Sequence, residues 1–147
     1  MSFEREIACT PETLFAVMTS PDAREIWGAP SETEVLKIDR FDLRPGGLEI
    51  AKCGPKSHPK FTTTTNFHEV CAPERLVFSE TLSADGQVLS CALVTQEIVP
   101  TDGRVTLVVT LQICSLTGGE MFEGYRTGWR AALENLAHYA QEQTVRP

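Results

Sequence analysis

The chain has 147 residues, 41% hydrophobic and 22% charged, which is ordinary for one globular unit with a core of its own. Its 13 basic and 20 acidic residues leave a net charge of -7 with no cluster of Lys or Arg, which disfavours nucleic acid and an anionic membrane surface as partners. No apolar run is long enough to insert in a membrane, and Met1 to Glu6 lack the basic stretch and apolar run of a signal peptide. A single cytoplasmic domain over residues 1–147 is therefore expected. Cys9, Cys53, Cys71, Cys91 and Cys114 are odd in number and widely spaced, so they read as reduced thiols, most of them small core residues.

Residues 3–9 alternate Phe3, Arg5, Ile7 and Cys9 against Glu4, Glu6 and Ala8, the period of a short strand. Thr10 and Pro11 then provide an N-cap and a first helical residue, and the helix runs to about Thr19. Ser20 caps a second short helix that ends near Trp27 and Gly28. Strands follow over Glu34–Asp39 (with Val35 and Ile38 facing the core), Leu48–Cys53, Phe61–Val70, Arg75–Leu82, Val88–Val99 and Arg104–Cys114. The breaks between them are a turn at Asp42–Gly47, a loop at Gly54–Pro59, a turn at Ala72–Glu74, and hairpin turns at Ser83–Gly86 and Pro100–Gly103.

The segment from Gly118 to Gln143 has the cleanest helical period. Phe122, Tyr125, Trp129, Ala132, Leu133, Leu136 and Ala140 recur at three- and four-residue steps, on one stripe. A long amphipathic helix after a run of antiparallel strands buries that stripe on one sheet face. The expected fold is α+β: a curved antiparallel sheet wrapped around a long C-terminal helix, with two short helices after the first strand.

Several local motifs carry a resemblance. They are Ala8-Cys9-Thr10-Pro11-Glu12-Thr13-Leu14-Phe15, then Trp27, then Phe41-Asp42-Leu43-Arg44-Pro45-Gly46-Gly47, then Pro73-Glu74-Arg75-Leu76-Val77-Phe78, and last Gly128-Trp129 with Leu133, Leu136 and Tyr139. In order and spacing the chain resembles the START-like superfamily (SRPBCC), and within it the bacterial family named after the C-terminal domain of the activator of the heat-shock-protein-90 ATPase. The resemblance implies the helix-grip fold. It implies ligand binding, cyclase-like chemistry or chaperone contact in different relatives, and it carries over no catalytic residue.

The residues themselves narrow the chemistry. His58, His68 and His138 lack ligand spacing, so no metal or other cofactor is expected. His138 is expected to contact Glu134, four residues away. Asp42 and Arg44 could pair across their turn, and Cys91 and Cys114, in apolar strands, read as inert thiols. Glu80 falls in register with Leu76, Phe78 and Leu82, and Glu69 with Phe61 and Phe67. Either these carboxylates sit at strand ends near water, or they reach an apolar pocket with Arg126 or Arg130 as partner.

The aromatics read either as core or as the wall of a cavity between helix and sheet, entered beside the two glycines of Leu116–Gly119. The leading expectation is noncatalytic binding of a small hydrophobic or amphipathic molecule. Trp27, Phe67, Phe78, Met121, Phe122, Tyr125 and Trp129 supply its wall, and Glu80, Arg126 and the Tyr125 hydroxyl its orientation. A chaperone-associated interaction module and a cyclase- or hydrolase-like enzyme with a pocket carboxylate are the alternatives. An edge strand leaves room for a homodimer.

Overall fold

The computed structural model describes residues 1–145. In chain order it holds β1 (Ser2–Ile7), α1 (Pro11–Thr19), α2 (Pro21–Trp27), β2 (Glu34–Phe41), β3 (Leu48–Pro55), β4 (Phe61–Cys71), β5 (Arg75–Ala84), β6 (Gln87–Thr101), β7 (Arg104–Ser115) and α3 (Glu120–Val145). The strands form one curved sheet in the order β1-β7-β6-β5-β4-β3-β2, antiparallel throughout, and α3 closes its concave side. The fold is α+β, as the succession of strand and helix periods leads one to expect.

Local chemistry accounts for many of the boundaries. The Thr10 hydroxyl accepts from the Thr13 N–H, and the Ser20 hydroxyl accepts from the Ala23 N–H, with Pro11 and Pro21 opening the two helices. The β5–β6 and β6–β7 hairpins turn on Asp85-Gly86 and Asp102-Gly103, each pair with positive φ at both residues, the twist that suits antiparallel neighbours. Paired this tightly, β5 and β6 run about two residues further into the turns than the apolar pattern alone suggests.

Strict alternation then sorts side chains to the two faces. Ala92, Val94 and Ile98 of β6 and Val105, Leu107, Val109 and Leu111 of β7 are buried inside. Leu133, Leu136, Ala137 and Ala140 of α3 meet them, joined by Leu14, Phe15, Val17 and Met18 of α1. The small side chains Ala137 and Ala140 let α3 lie close to its neighbours along this half.

Three register shifts depart from simple alternation. One, between Ile38 and Arg40, explains the imperfect period of β2. Ile38 is only half-buried, because β2 is the sheet's edge, and Val35 does not face the core, since Leu36 takes the inward position beside Cys53; Phe41 turns inward beyond the bulge and packs on the core. A second, between Phe67 and Glu69, reverses the parity of β4. A third lies between Leu82 and Ser83.

Some expected contacts resolve differently. Asp42 does pair with Arg44, at 2.8 Å. His138 faces Glu142 at 3.2 Å rather than Glu134, which is taken by Arg5 of β1 at 3.1 Å. All five cysteines are free, but only Cys9 is buried, and burial raises its thiol pKa. Cys91 and Cys114 stand opposite each other on the outer sheet face, half-buried and exposed, because Ala92 and Ile113 hold the inward positions.

Leu136 is fully buried where α3 meets the sheet. Replacing it with Ala should cost about 2–5 kcal/mol, measured as a lower urea midpoint with an unchanged slope. A loss under about 1 kcal/mol would mean that the contact is looser than described.

Candidate functional site: a cavity between the sheet and the C-terminal helix

The packing that closes one half of α3 does not continue along the other. Toward its N-terminus the helix carries Gly124 and Gly128, and a methyl group added at either would meet no atom within 4 Å. Between this half of α3, the inner faces of β3, β4 and β5, and α2 lies a cavity of about 670 Å³. That size suits a small organic molecule. Its outer end is formed by exposed residues, among them Pro30, Pro55, Lys60 and Gly124.

The wall is largely aromatic and aliphatic. Phe67 and Phe78 face each other across β4 and β5 with ring centroids 6.3 Å apart, nearly edge to face, and Phe41 meets Phe67 in the same way at 6.0 Å. Trp27 arrives from α2, its indole N–H donating to the Val17 carbonyl at 3.0 Å, which pins the short helix to α1. Met121, Tyr125 and Trp129 descend from α3.

A polar row crosses this wall. Glu49, Thr65 and Glu80 are register partners on β3, β4 and β5, so all three project to the same face. The α2 side chains Arg24 and Trp27, three apart, share one helix face. The Arg24 guanidinium pairs with the Glu49 carboxylate, which is 1% exposed. Burial brings Arg24 down to about 10, opposed by the nearby Glu80 charge, so it stays protonated at neutral pH. Gln96 completes the row's polar surroundings.

Glu80 is half-buried, and what it faces is the cavity rather than bulk water. Burial raises its pKa above the ordinary carboxylate range, an effect that Arg24 partly opposes. Beside it, the Tyr125 hydroxyl meets the Ser90 hydroxyl at 2.9 Å, and burial raises the phenol's pKa. Cys53, on the cavity's β3 side, is pushed up to about 11 by burial and by the charges of Glu80 and Glu34. It is a thiol, not a nucleophilic thiolate, at neutral pH.

Of the residues singled out in the sequence, the structure brings Trp27, Phe67, Phe78, Glu80, Met121, Tyr125 and Trp129 around this cavity. Phe122 is not among them: it lies on the first turn of α3 and is 40% exposed, while its neighbour Met121 takes the place on the cavity wall. Arg126 also points away and pairs with Glu123 at 2.9 Å, so neither it nor Arg130 is the partner of a pocket carboxylate. Glu69 is turned out by the β4 bulge and pairs with Arg75 at 2.6 Å near the surface. Sequence reasoning missed Arg24, Glu49, Thr65 and Gln96. The signal for Glu49 was obscured because Leu48 and Ile50 flank it, and their hydrophobicity suggests the opposite parity.

The family model described as "Activator of Hsp90 ATPase homolog 1-like protein" matches residues 8–141. Among solved structures, the chain is similar to a Rhizobium loti protein at 24% identity, covering 95% of this chain and 94% of that one, with a TM-score of 0.83. A Rhizobium leguminosarum protein is 18% identical over 97% and 93% of the two chains, with a TM-score of 0.84. A Chromobacterium violaceum protein is 20% identical over 96% of each, with a TM-score of 0.82. At these identities the likeness concerns the fold. No curated protein matches the sequence significantly.

The raised pKa of Glu80 has a signed consequence for stability. The folded state holds the Glu80 proton more tightly than the unfolded chain, whose ordinary value is 4.5. Its contribution is therefore fully present below that value and is lost as pH rises through the folded pKa. Glu80→Gln should gain stability relative to the unsubstituted protein as pH rises across that window, read from urea unfolding at a series of pH values. A difference independent of pH would contradict the assignment. Arg24→Leu, which leaves Glu49 buried without its cation, should cost about 3–5 kcal/mol in the same assay.

Proposed function

This chain belongs to the Activator of Hsp90 ATPase homolog 1-like family, and we propose that it binds a small hydrophobic or amphipathic molecule in the cavity between sheet and C-terminal helix. The observation that carries this reading is the cavity itself: about 670 Å³, walled by aromatics, with a few buried polar groups gathered on one side. Apolar walls supply affinity through the area they remove from water, and a small number of fixed polar groups supply orientation. Trp27, Phe67, Phe78, Met121 and Trp129 form the apolar contacts. Glu80 and the Tyr125 hydroxyl orient the ligand's polar end.

The architecture supports the same reading. Gly124 and Gly128 each weaken a helix interior by about 1 kcal/mol relative to Ala, and both line the cavity, with room for a larger side chain. A helix selected only for packing would fill that space.

A second reading, acid–base catalysis, has one specific observation in its favour. Glu80 faces an apolar cavity, and burial raises its pKa above the ordinary carboxylate range, the kind of shift that lets a carboxyl group hold a proton and pass it on.

Native mass spectrometry of freshly purified protein should show a noncovalent mass that organic extraction releases. Recovery of that compound unchanged after prolonged incubation supports binding alone. Conversion that Glu80→Gln abolishes supports catalysis. Protein that is empty and co-purifies with a chaperone would replace both with an interaction role. Trp129→Ala should reduce the ligand-dependent rise in Tm by more than it lowers the basal Tm; equal losses would make Trp129 core only.

A further inference from the structure

The charges inside the cavity do not pair off. Among the described residues Arg24 is the one cation deep in the wall, and it pairs with Glu49. Glu80 lies in the same row, two strands from Glu49, and no side chain among the described residues bonds it. The other groups facing it are neutral: Thr65 across β4, Ala92 and Ser90 on β6, the Tyr125 phenol from α3 and the Cys53 thiol from β3. Glu34 and Lys60, of opposite charge, line the cavity elsewhere.

A carboxylate held in such a wall is neutralised either by a proton or by a cation that enters with the ligand. We propose that the cavity takes amphipathic amines, with a single ammonium head beside Glu80 and an apolar body against Phe67, Phe78 and Trp129. The inference rests on the ligand-binding reading above and adds the chemical class of the ligand.

Four observations converge on an ammonium rather than another head group. First, an ammonium has three N–H donors, and the wall around Glu80 offers acceptors: its own carboxylate, the hydroxyl of its register partner Thr65, and the Thr63 hydroxyl two residues along the same strand face. Second, Phe78 precedes Glu80 on the same strand face and pairs with Phe67, so aromatic rings flank the carboxylate, and ring faces attract cations. Third, a carboxylate or phosphate head would meet Glu49 and Glu80, with Arg24 already engaged. Fourth, the net charge of -7 draws cations toward the protein and repels anions.

Proton linkage gives the inference its own signature. Where Glu80 is protonated in the empty protein, an ammonium must displace that proton, so amine affinity rises with pH through the folded pKa of Glu80 and then levels. The plateau persists until the amine itself loses its charge near about pH 10.

The test compares decylamine, decanol and decanoate, titrated into the full chain by calorimetry below their micelle concentrations. Decylamine should bind about tenfold or more tightly than decanol at neutral pH, with decanoate weakest. The amine's affinity should rise as pH increases above the ordinary carboxylate value of 4.5, while that of decanol should not. In Glu80→Gln the ratio of amine to alcohol affinity should fall toward one and the pH dependence should vanish. The pH profile of the unsubstituted protein stands even if that variant folds poorly.

Decanol binding as tightly as decylamine would overturn the amine preference while leaving the cavity reading intact. So would a preference that survives Glu80→Gln. Failure of all three probes to bind would overturn both.

Discussion

The site depends on how α3 closes the sheet. Its C-terminal half packs through Leu133, Leu136, Ala137 and Ala140, all fully or nearly buried, against the valines and leucines of β7 and the side chains of α1. That contact holds the helix at a fixed height. Its N-terminal half then stands over the curved sheet with glycines at 124 and 128, where packing of the same kind would need bulk. The cavity is what remains between a helix fixed at one end and a sheet that curves away from it.

Within that space, α2 is placed by interactions at three points. The Trp27 indole binds the α1 backbone, the Glu25 carboxylate accepts from the Ile38 N–H at 2.8 Å, and Arg24 pairs with Glu49. Breaking a buried ion pair by removing one partner leaves a charge without solvation, so this pair constrains where α2 can sit. Its presence also bears on Glu80. The second carboxylate of the row faces the cavity; burial raises its affinity for a proton, and the charge of Arg24, paired with Glu49, opposes this only in part. The Arg24–Glu49 pair thus helps to place α2 and contributes to the electrostatics of the cavity wall.

The two proposed uses, catalysis and binding, would draw on the same group. A carboxyl whose pKa is raised by burial can hold a proton for transfer, or can exchange it for a ligand's charge. These two uses differ in whether anything leaves the site changed. The wall around Glu80 gives it rings and hydroxyls, and Cys53 contributes a thiol that burial and neighbouring charges hold protonated.

The sequence by itself determined what depends on short range. Thr10 and Ser20 cap their helices because their hydroxyls reach N–H groups three residues on, and Asp-Gly pairs turn hairpins because they accept positive φ. The stripe from Tyr125 to Ala140 announced a helix with one buried face, and Glu80 in register with Phe78 marked that carboxylate as unusual. Tertiary structure decided the rest. Glu49 faces inward because β3 pairs with β4 so as to set it beside Thr65, against the hydrophobicity of its own neighbours. Glu69 faces outward because a bulge of one residue at His68 exchanges the two faces of β4. Phe122, on the same helical stripe as Trp129, is exposed, and Met121 beside it lines the cavity instead. Arg24 reaches Glu49 across a separation that no local pattern encodes. Strand parity and helix height are properties of pairing between distant segments, and a period within one segment leaves both undetermined.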